Sequence, residues 1–496
     1  VSKTLTSAGN INNCFQQINA IFAFKRLINF QNQTLKARFN PRHSVTALLA
    51  AKSRFTDKLL ECCWRHFLGD HADTLALIAT GGYGRNELFP HSDIDILILA
   101  NPADREQLHE PLSNFSRFLW DIGLKPGQSV RGIDDCVHAA AEDQTIFTSL
   151  MEMRLITGNH VLFETLQTRL EAESLWPSEQ FFPAKIAEQA QRYSKYHETA
   201  YNLEPNIKEG PGGLRDLQVI GWVFKRHYHS STLRELIKYG YLPKSEYDLL
   251  IADREILWRL RFALHILTKH CEDRLLFDYQ RDLAAQFGYL THGQPDVERF
   301  MQFYFKTVVE IERLNEMLLQ LLSEKLIAHQ ENLKPILVNA NFVSIGGYLE
   351  AIDQNVFEKT PSALLEVFLL VQELPSIKGI RASTIRLIRK NLHRIDAAFR
   401  ADKQANRLFI KILRQPRGIT HELKRMNRYG VLAAYLPDFK QIVARMQYDL
   451  FHIYTVDEHT LFLIRNLRRF SMEKHAQELP FCSKIFLLVP KPEVLY

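Results

Sequence analysis

At 496 residues and 57.7 kDa the chain is about three times a typical domain, so its mass is divided among several. An apolar fraction of 46% and a charged fraction of 24% exclude a disordered or collagen-like chain. The net charge of +6, from 62 Lys and Arg against 56 Asp and Glu, is too dilute for a nucleic-acid binder, though it permits a local basic groove for a phosphate ligand. Apolar runs such as residues 94–100 and 363–371 fall short of the ~18 residues of a membrane span. The opening VSKTLTSAGNINNC has no apolar signal core, and six scattered cysteines make neither a disulfide framework nor a zinc site. The chain reads as cytoplasmic.

The first seventy residues are expected to be helical. Leu48, Ala51, Phe55, Leu59 and Cys62 recur at spacings of three or four, and Pro41 suits a helix boundary. Residues 74–80 (TLALIAT) predict a strand ended by Gly81 and Gly82, and residues 93–99 (DIDILIL) predict a second. A glycine turn and short helix fit between them, and a third strand is expected near residues 128–131. From about residue 142 the pattern is mostly helical, broken at residues 202–218 (NLEPNIKEGPGGLRDLQ) by Pro205, Gly210, Pro211, Gly212 and Gly213. Helices resume at Asp216, at residues 247–271 and at residues 296–326. Residues 329–342 suit a linker, and the remainder is expected to be helical. The divisions fall at 1–70, 71–160, 161–340 and 341–496. The fold class is α+β, a small sheet embedded in a mostly helical protein.

The chemistry concentrates in GGYGRNELFPHSDIDILIL, residues 81–99. Asp93 and Asp95 leave one face of the predicted strand while Ile94, Ile96 and Ile98 leave the other. Two carboxylates so close repel each other unless a cation lies between them, and hard oxygen ligands at this spacing suit Mg²⁺ together with substrate phosphates. Gly81 and Gly82 let backbone N–H groups approach a phosphate with no side chain in the way. A nucleoside triphosphate held by glycines and metal follows. A lone DxD is a weak signal; the glycine pair, Arg85, Glu87 and the apolar strand together are not.

GG followed after ten residues by DxD on a strand resembles the signature of the DNA polymerase β-type nucleotidyltransferases. The fuller string resembles one branch, the bacterial PII-protein uridylyltransferase/uridylyl-removing enzymes. WDIGLKPGQSVR (120–131), NIKEGPGGLRDLQ (206–218), RLRFALHILTKHCEDRLLFDYQ (259–280), VERFMQFYFKTV (297–308) and YDLFHIYTVDEHTL (448–461) resemble blocks of that family in the same order. The resemblance implies transfer of UMP from UTP to a tyrosine of the PII protein with Mg²⁺, or Mn²⁺, as cofactor. Gly81 and Gly82 would hold the UTP phosphates, Arg85 would contact them, and Asp93 and Asp95 would ligate the metal. It divides the chain into an N-terminal helical segment, a transferase core, a helical domain completing the transferase, and the first part of an HD-type hydrolase. His459 would be a metal ligand of that hydrolase. None of the nineteen histidines is followed by Asp, so the HD metal centre is expected to be incomplete and uridylyl removal absent. The glutamine-sensing ACT domains of the family are expected to be missing. The alternatives are another polymerase β-type transferase, acting on an RNA end or small molecule, and an inactive chain that only binds PII.

Such enzymes usually need a third carboxylate on a neighbouring strand, which the QSVRG strand does not supply; Glu152 is the candidate, with Asp143 behind it, and each also suits a solvated helix position. Arg85 equally suits an ion pair. Asn86 stands where many relatives have glycine. The 206–218 loop, with Lys208 and Arg215 among its glycines, fits a nucleotide lid or a buried connector equally well. Lys225, Arg226 and His227 read as a solvated helix face. His265 and His270, five apart, do not share a face and are no metal pair.

Overall fold

The computed structural model describes residues 11, 13–172, 175–196, 199–230, 232–326, 334–448 and 453–496. The expected linker at 329–342 and the block at 448–461 lie partly outside these residues, as does most of the first fourteen. Two helices, α1 (Ala20–Arg38) and α2 (Thr46–Leu68), precede the first strand. Leu48, Phe55 and Leu59 of α2 are buried as the periodicity predicts; Ala51 and Cys62 are half-buried, and Leu60, Cys63 and Trp64 carry the contact onward.

Four strands form the sheet that positions the site: β1 (Ala76–Ala79), β2 (Ile94–Leu99), β3 (Pro126–Arg131) and β4 (Arg154–Gly158), in the order β3-β2-β1-β4. β1 is antiparallel to both neighbours, and β2 and β3 run parallel. Both faces of β1 and β2 are covered. Ile94, Ile96 and Ile98 share a core with α2, while Leu97 and Leu99 enter the larger core of the helical body. Double burial is why these strands read as nearly continuous apolar runs. β1 leads into a single helical turn, α3 (Gly81–Gly84), and α4 (Gln144–Met151) precedes β4. Asn86, where the resemblance led us to expect glycine, has φ +61°, a left-handed conformation that asparagine tolerates better than most residues. β4 is a strand that was not expected in the mostly helical stretch after residue 142.

The helical body is built from α5 (Ser178–Ser194), α6 (Leu214–Tyr228), α7 (Lys244–Thr268) and α8 (Val297–Leu326). α8, at 30 residues, runs about 45 Å and packs against α5, α6 and α7. The 202–218 segment is pinned to it. Gly212 has φ +71°, and a Cβ there would sit 2.1 Å from the Val308 carbonyl oxygen, so no other residue fits. Asp216, wholly buried, accepts hydrogen bonds from the Gly212 N–H (2.7 Å), Gln189 (3.0 Å), Arg192 (2.7 Å) and the Tyr193 hydroxyl (2.5 Å). The segment is a fixed connector. The solvated face expected at residues 225–227 is also corrected: Arg226 is buried and donates to the carbonyls of Glu171, Ala172 and Trp176, and Lys225 donates to that of Met151.

Beyond α8 a second core gathers Phe342, Leu349, Phe357, Phe368, Ile388, Met426 and Leu461. It includes a small sheet of four strands, Ile336–Leu337, Phe342–Ile345, Tyr348–Ala351 and Gly379–Ile380, which corrects the expectation of helix alone. Its helices include α9 (Ile419–Arg428) and α10 (Val456–Phe470). Among the described residues no helix is long and apolar enough to cross a membrane.

Candidate active site

β2 delivers the two aspartates to the mouth of the sheet. Asp93 immediately precedes the strand and Asp95 is its second residue. The space around Asp95 is made by missing side chains. Gly127 stands opposite it in the β2–β3 register, and a Cβ there would lie 2.7 Å from Asp95 Oδ1. Gly81 has φ +54°, and its Cβ would approach Asp95 Oδ2 at 3.4 Å. Sequence reasoning singled out Gly81 but passed over Gly127, which precedes the strand expected near residues 128–131 and lies inside β3 as observed.

α3 follows β1 so that the Gly84 N–H closes on the Thr80 carbonyl at 3.0 Å. The amides of Gly81, Gly82 and Tyr83 form the first turn, which has no intrahelical acceptor. Tyr83 anchors the turn: its hydroxyl donates to Asp57 at 2.6 Å, and the two terminal nitrogens of Arg154 grip the same carboxylate at 3.0 Å each.

These elements open on a cleft of about 400 Å³, closed opposite by the 206–218 connector and the end of α7. Among the described residues seven carboxylates line it: Glu87, Asp93, Asp95, Glu152, Glu188, Glu209 and Asp273. Five are matched by cations. Arg85 pairs with Glu87 (2.9 Å) and with Glu152, Lys185 with Glu188, Arg215 with Glu209 (2.9 Å) and Arg261 with Asp273 (2.7 Å). Asp93 and Asp95 are the exceptions: among the described residues neither carboxylate has a hydrogen-bond or ion-pair partner. Burial, and then the neighbouring Asp93 charge, push Asp95 above the usual carboxylate range, with Lys208 opposing across the cleft. Lys208 is itself lowered, by burial and then by Arg261 and Arg215. Burial also acts on Glu209, but Arg215 outweighs it and holds that carboxyl below its ordinary value.

The remaining sequence candidates fall in different places. Arg85 lines the cleft, engaged by its two glutamates. Glu152 lines it too, but follows α4 rather than lying on a strand, and both oxygens are taken: Arg85 holds one and the Trp222 indole N–H donates to the other at 2.7 Å. Burial raises its pKa against the pull of Arg85 and Trp222. Asp143 is outside the cleft, capping α4 by accepting from the Thr145 N–H at 2.6 Å. His459 is exposed on α10, away from the cleft lining. Arg215 was singled out only as part of the 206–218 loop, and Lys185, Trp222 and Asp273 not at all; α5, α6 and the segment after α7, distant in sequence, bring these three there, which no local pattern could announce.

A glycine turn opening on two unmatched aspartates of a mixed sheet defines a nucleotidyltransferase core, and residues 58–132 match the family model of the nucleotidyltransferase domain. Residues 180–319 match the GlnD PII-uridylyltransferase model, and residues 342–435 the third domain of GlnD uridylyltransferase. The chain is 53% identical over 477 residues to a bifunctional uridylyltransferase/uridylyl-removing enzyme of Methylococcus capsulatus, covering 96% of this chain and 54% of the relative. It is 51% identical over 465 residues to the enzyme of the same name from Nitrosococcus oceani, covering 94% and 52%. For that of Ectopseudomonas mendocina the identity is 45% over 477 residues, covering 96% and 53%. The chain carries domains of the GlnD uridylyltransferase family, and it spans about half the length of the curated relatives it matches.

Proposed function

We propose that this chain transfers UMP from UTP to a tyrosine hydroxyl of a PII signalling protein, releasing pyrophosphate. One observation carries the reading: of seven carboxylates in the cleft, the two left unmatched are those of the DxD. An all-oxygen pair with Gly127 and Gly81 leaving space beside it suits a hard divalent ion such as Mg²⁺ or Mn²⁺, which takes one or two carboxylates and completes its shell with phosphates and water. Asp93 and Asp95 would hold it, and when bound it would neutralise charge on the triphosphate and the departing pyrophosphate.

The chain's own residues do the rest by position and charge. The first-turn amides of α3 face the phosphates without an intervening side chain. Lys208 and Arg215 supply positive charge from the opposite wall, on a connector too tightly packed to swing away. The tyrosine oxygen attacks the α-phosphorus, the bond from that phosphorus to the bridging oxygen of the β-phosphate breaks, and the phenolic proton passes to solvent. Glu152 acts as the anchor of Arg85 and Trp222 rather than as a free third ligand. Uridylyl removal, which the relatives' name includes, we place outside these 496 residues, since none of their histidines is followed by Asp.

The test uses UTP labelled at the α- or the γ-phosphate, with Mg²⁺ and purified PII. Label should reach PII tyrosine from the α-position alone. Label from the γ-position, or label on another acceptor, would refute the reading.

A further inference from the structure

The triphosphate chemistry leaves a larger neighbouring space unused. A second cavity, of about 570 Å³, shares a wall with the cleft: Arg85, Glu152, Gln218 and Trp222 line both. Its size is that of a small-molecule site. Trp222 is fixed in orientation, its N–H held by Glu152 and its ring covered by Lys185 at 4.5 Å and Arg215 at 5.2 Å. Trp258, from α7, supplies a second indole to the lining.

Arg254 is the unusual group here. Arg154, in the same lining, spends both terminal nitrogens on Asp57. Arg254 makes no ion pair or hydrogen bond among the described residues; its guanidinium lies 4.4 Å over the Trp258 ring, and its Nε is buried with no acceptor. The two terminal nitrogens, which are not sealed off as Nε is, are the donors that a ligand in the cavity can meet.

We propose that this cavity receives the nucleobase and that Arg254 selects a pyrimidine bearing carbonyl oxygens. The inference rests on the reading of the adjoining cleft as the triphosphate site. A guanidinium can only donate. Uracil offers it acceptors at O2 and O4. Cytosine places an amino group where uracil has O4, so two donors would face each other with neither satisfied, the kind of mismatch that discriminates far better than a missing methylene. Trp222 and Trp258, both buried, wall the cavity with apolar surface, which leaves the choice among bases to the polar group.

Calorimetric titration of the whole chain, with Mg²⁺ present, separates the two sites. Inorganic triphosphate reports on the cleft; UTP compared with CTP reports on the cavity. The unaltered chain should bind UTP about tenfold or more tighter than CTP, and Arg254→Gln should bring UTP to the level of CTP while leaving inorganic triphosphate unchanged. If Arg254→Gln fails to fold by circular dichroism, Leu233→Trp, which fills the cavity, should weaken UTP by a similar factor and spare inorganic triphosphate. Preserved UTP preference in the Arg254 variant would overturn the proposal. So would intact UTP binding in the Leu233 variant together with lost transfer, because the cavity would then serve the acceptor tyrosine. Failure of inorganic triphosphate to bind would overturn the reading of the cleft and this inference with it.

Discussion

Acidic side chains crowd at two places in this protein, and the fold treats them in opposite ways. Along α8, Glu310, Glu312, Glu316 and Glu324 face the second core, and arginines from that core answer each of them. Arg389 reaches Glu310 at 2.9 Å, Arg428 reaches Glu312 and Glu316 at 2.8 Å each, and Arg381 reaches Glu324 at 2.6 Å. Arg386 adds a pair with Glu246 of α7 at 3.0 Å. At the mouth of β2, Asp93 and Asp95 face open space with a lysine across it. Burial raises both Glu312 and Asp95, but Glu312 has Arg428 as its largest compensation while Asp95 has a second carboxylate beside it. Charge closed by protein holds two bodies together; charge left open toward a cleft is available to a ligand.

The largest effect that would sharpen this contrast is on rate. Asp93→Asn with Asp95→Asn should lower transfer by several powers of ten, each tenfold being ~1.4 kcal/mol of lost transition-state stabilisation. The thermal midpoint should not fall, because a raised Asp95 pKa means its ionised form opposes folding. Transfer assays and thermal melts on the same preparation check both halves. Gly127→Ala comes next. Its Cβ would force the Asp95 carboxylate aside, and transfer should drop on the order of a hundredfold, as misplacement of a reacting group by about 1 Å does, with the fold retained by circular dichroism.

In the seam the pattern should reverse. Arg428→Ala strands Glu312 and Glu316 and should cost about 2 kcal/mol, less than a fully buried pair because Arg428 is about one-third exposed. Denaturant unfolding would show the loss, while UTP affinity should be unchanged. Asp253, buried on α7 near Glu310, gives the smallest and most pH-dependent effect. Burial, then Glu310, raise it to about 7 against the pull of Arg313. A raised carboxyl contributes stability that is complete below its unfolded value near 4 and is lost as pH rises through 7. Asp253→Asn should therefore melt above the parent at pH 8, by on the order of 1–2 kcal/mol, with the advantage shrinking at pH 5. An equal difference at both pH values would contradict that assignment.

The open region was legible in sequence and the closed one was not, for physical reasons. β1, α3 and β2 are contiguous, and their apolar runs, glycines and alternating aspartates are local signals. β4 escaped because five half-buried residues after a helix carry no period, and its pairing partner β1 lies some eighty residues earlier. The second sheet escaped because strands of two to four residues are too short to show alternation. Arg226 read as solvated because its type suggests a surface, yet three carbonyls from residues 171–176 enclose it. That five of the cleft's carboxylates are neutralised, leaving two, is a property of tertiary pairing and has no signature along the chain.

The central claim, that the unmatched aspartates are kept for a metal-bound triphosphate, is tested most directly by titrating the unaltered chain with UTP in Mg²⁺, then in chelator, then with Mg²⁺ restored. The account expects tight binding that chelation abolishes and Mg²⁺ returns. Binding of equal strength in chelator would contradict it, because two neighbouring carboxylates with no cation between them should repel a triphosphate rather than hold it.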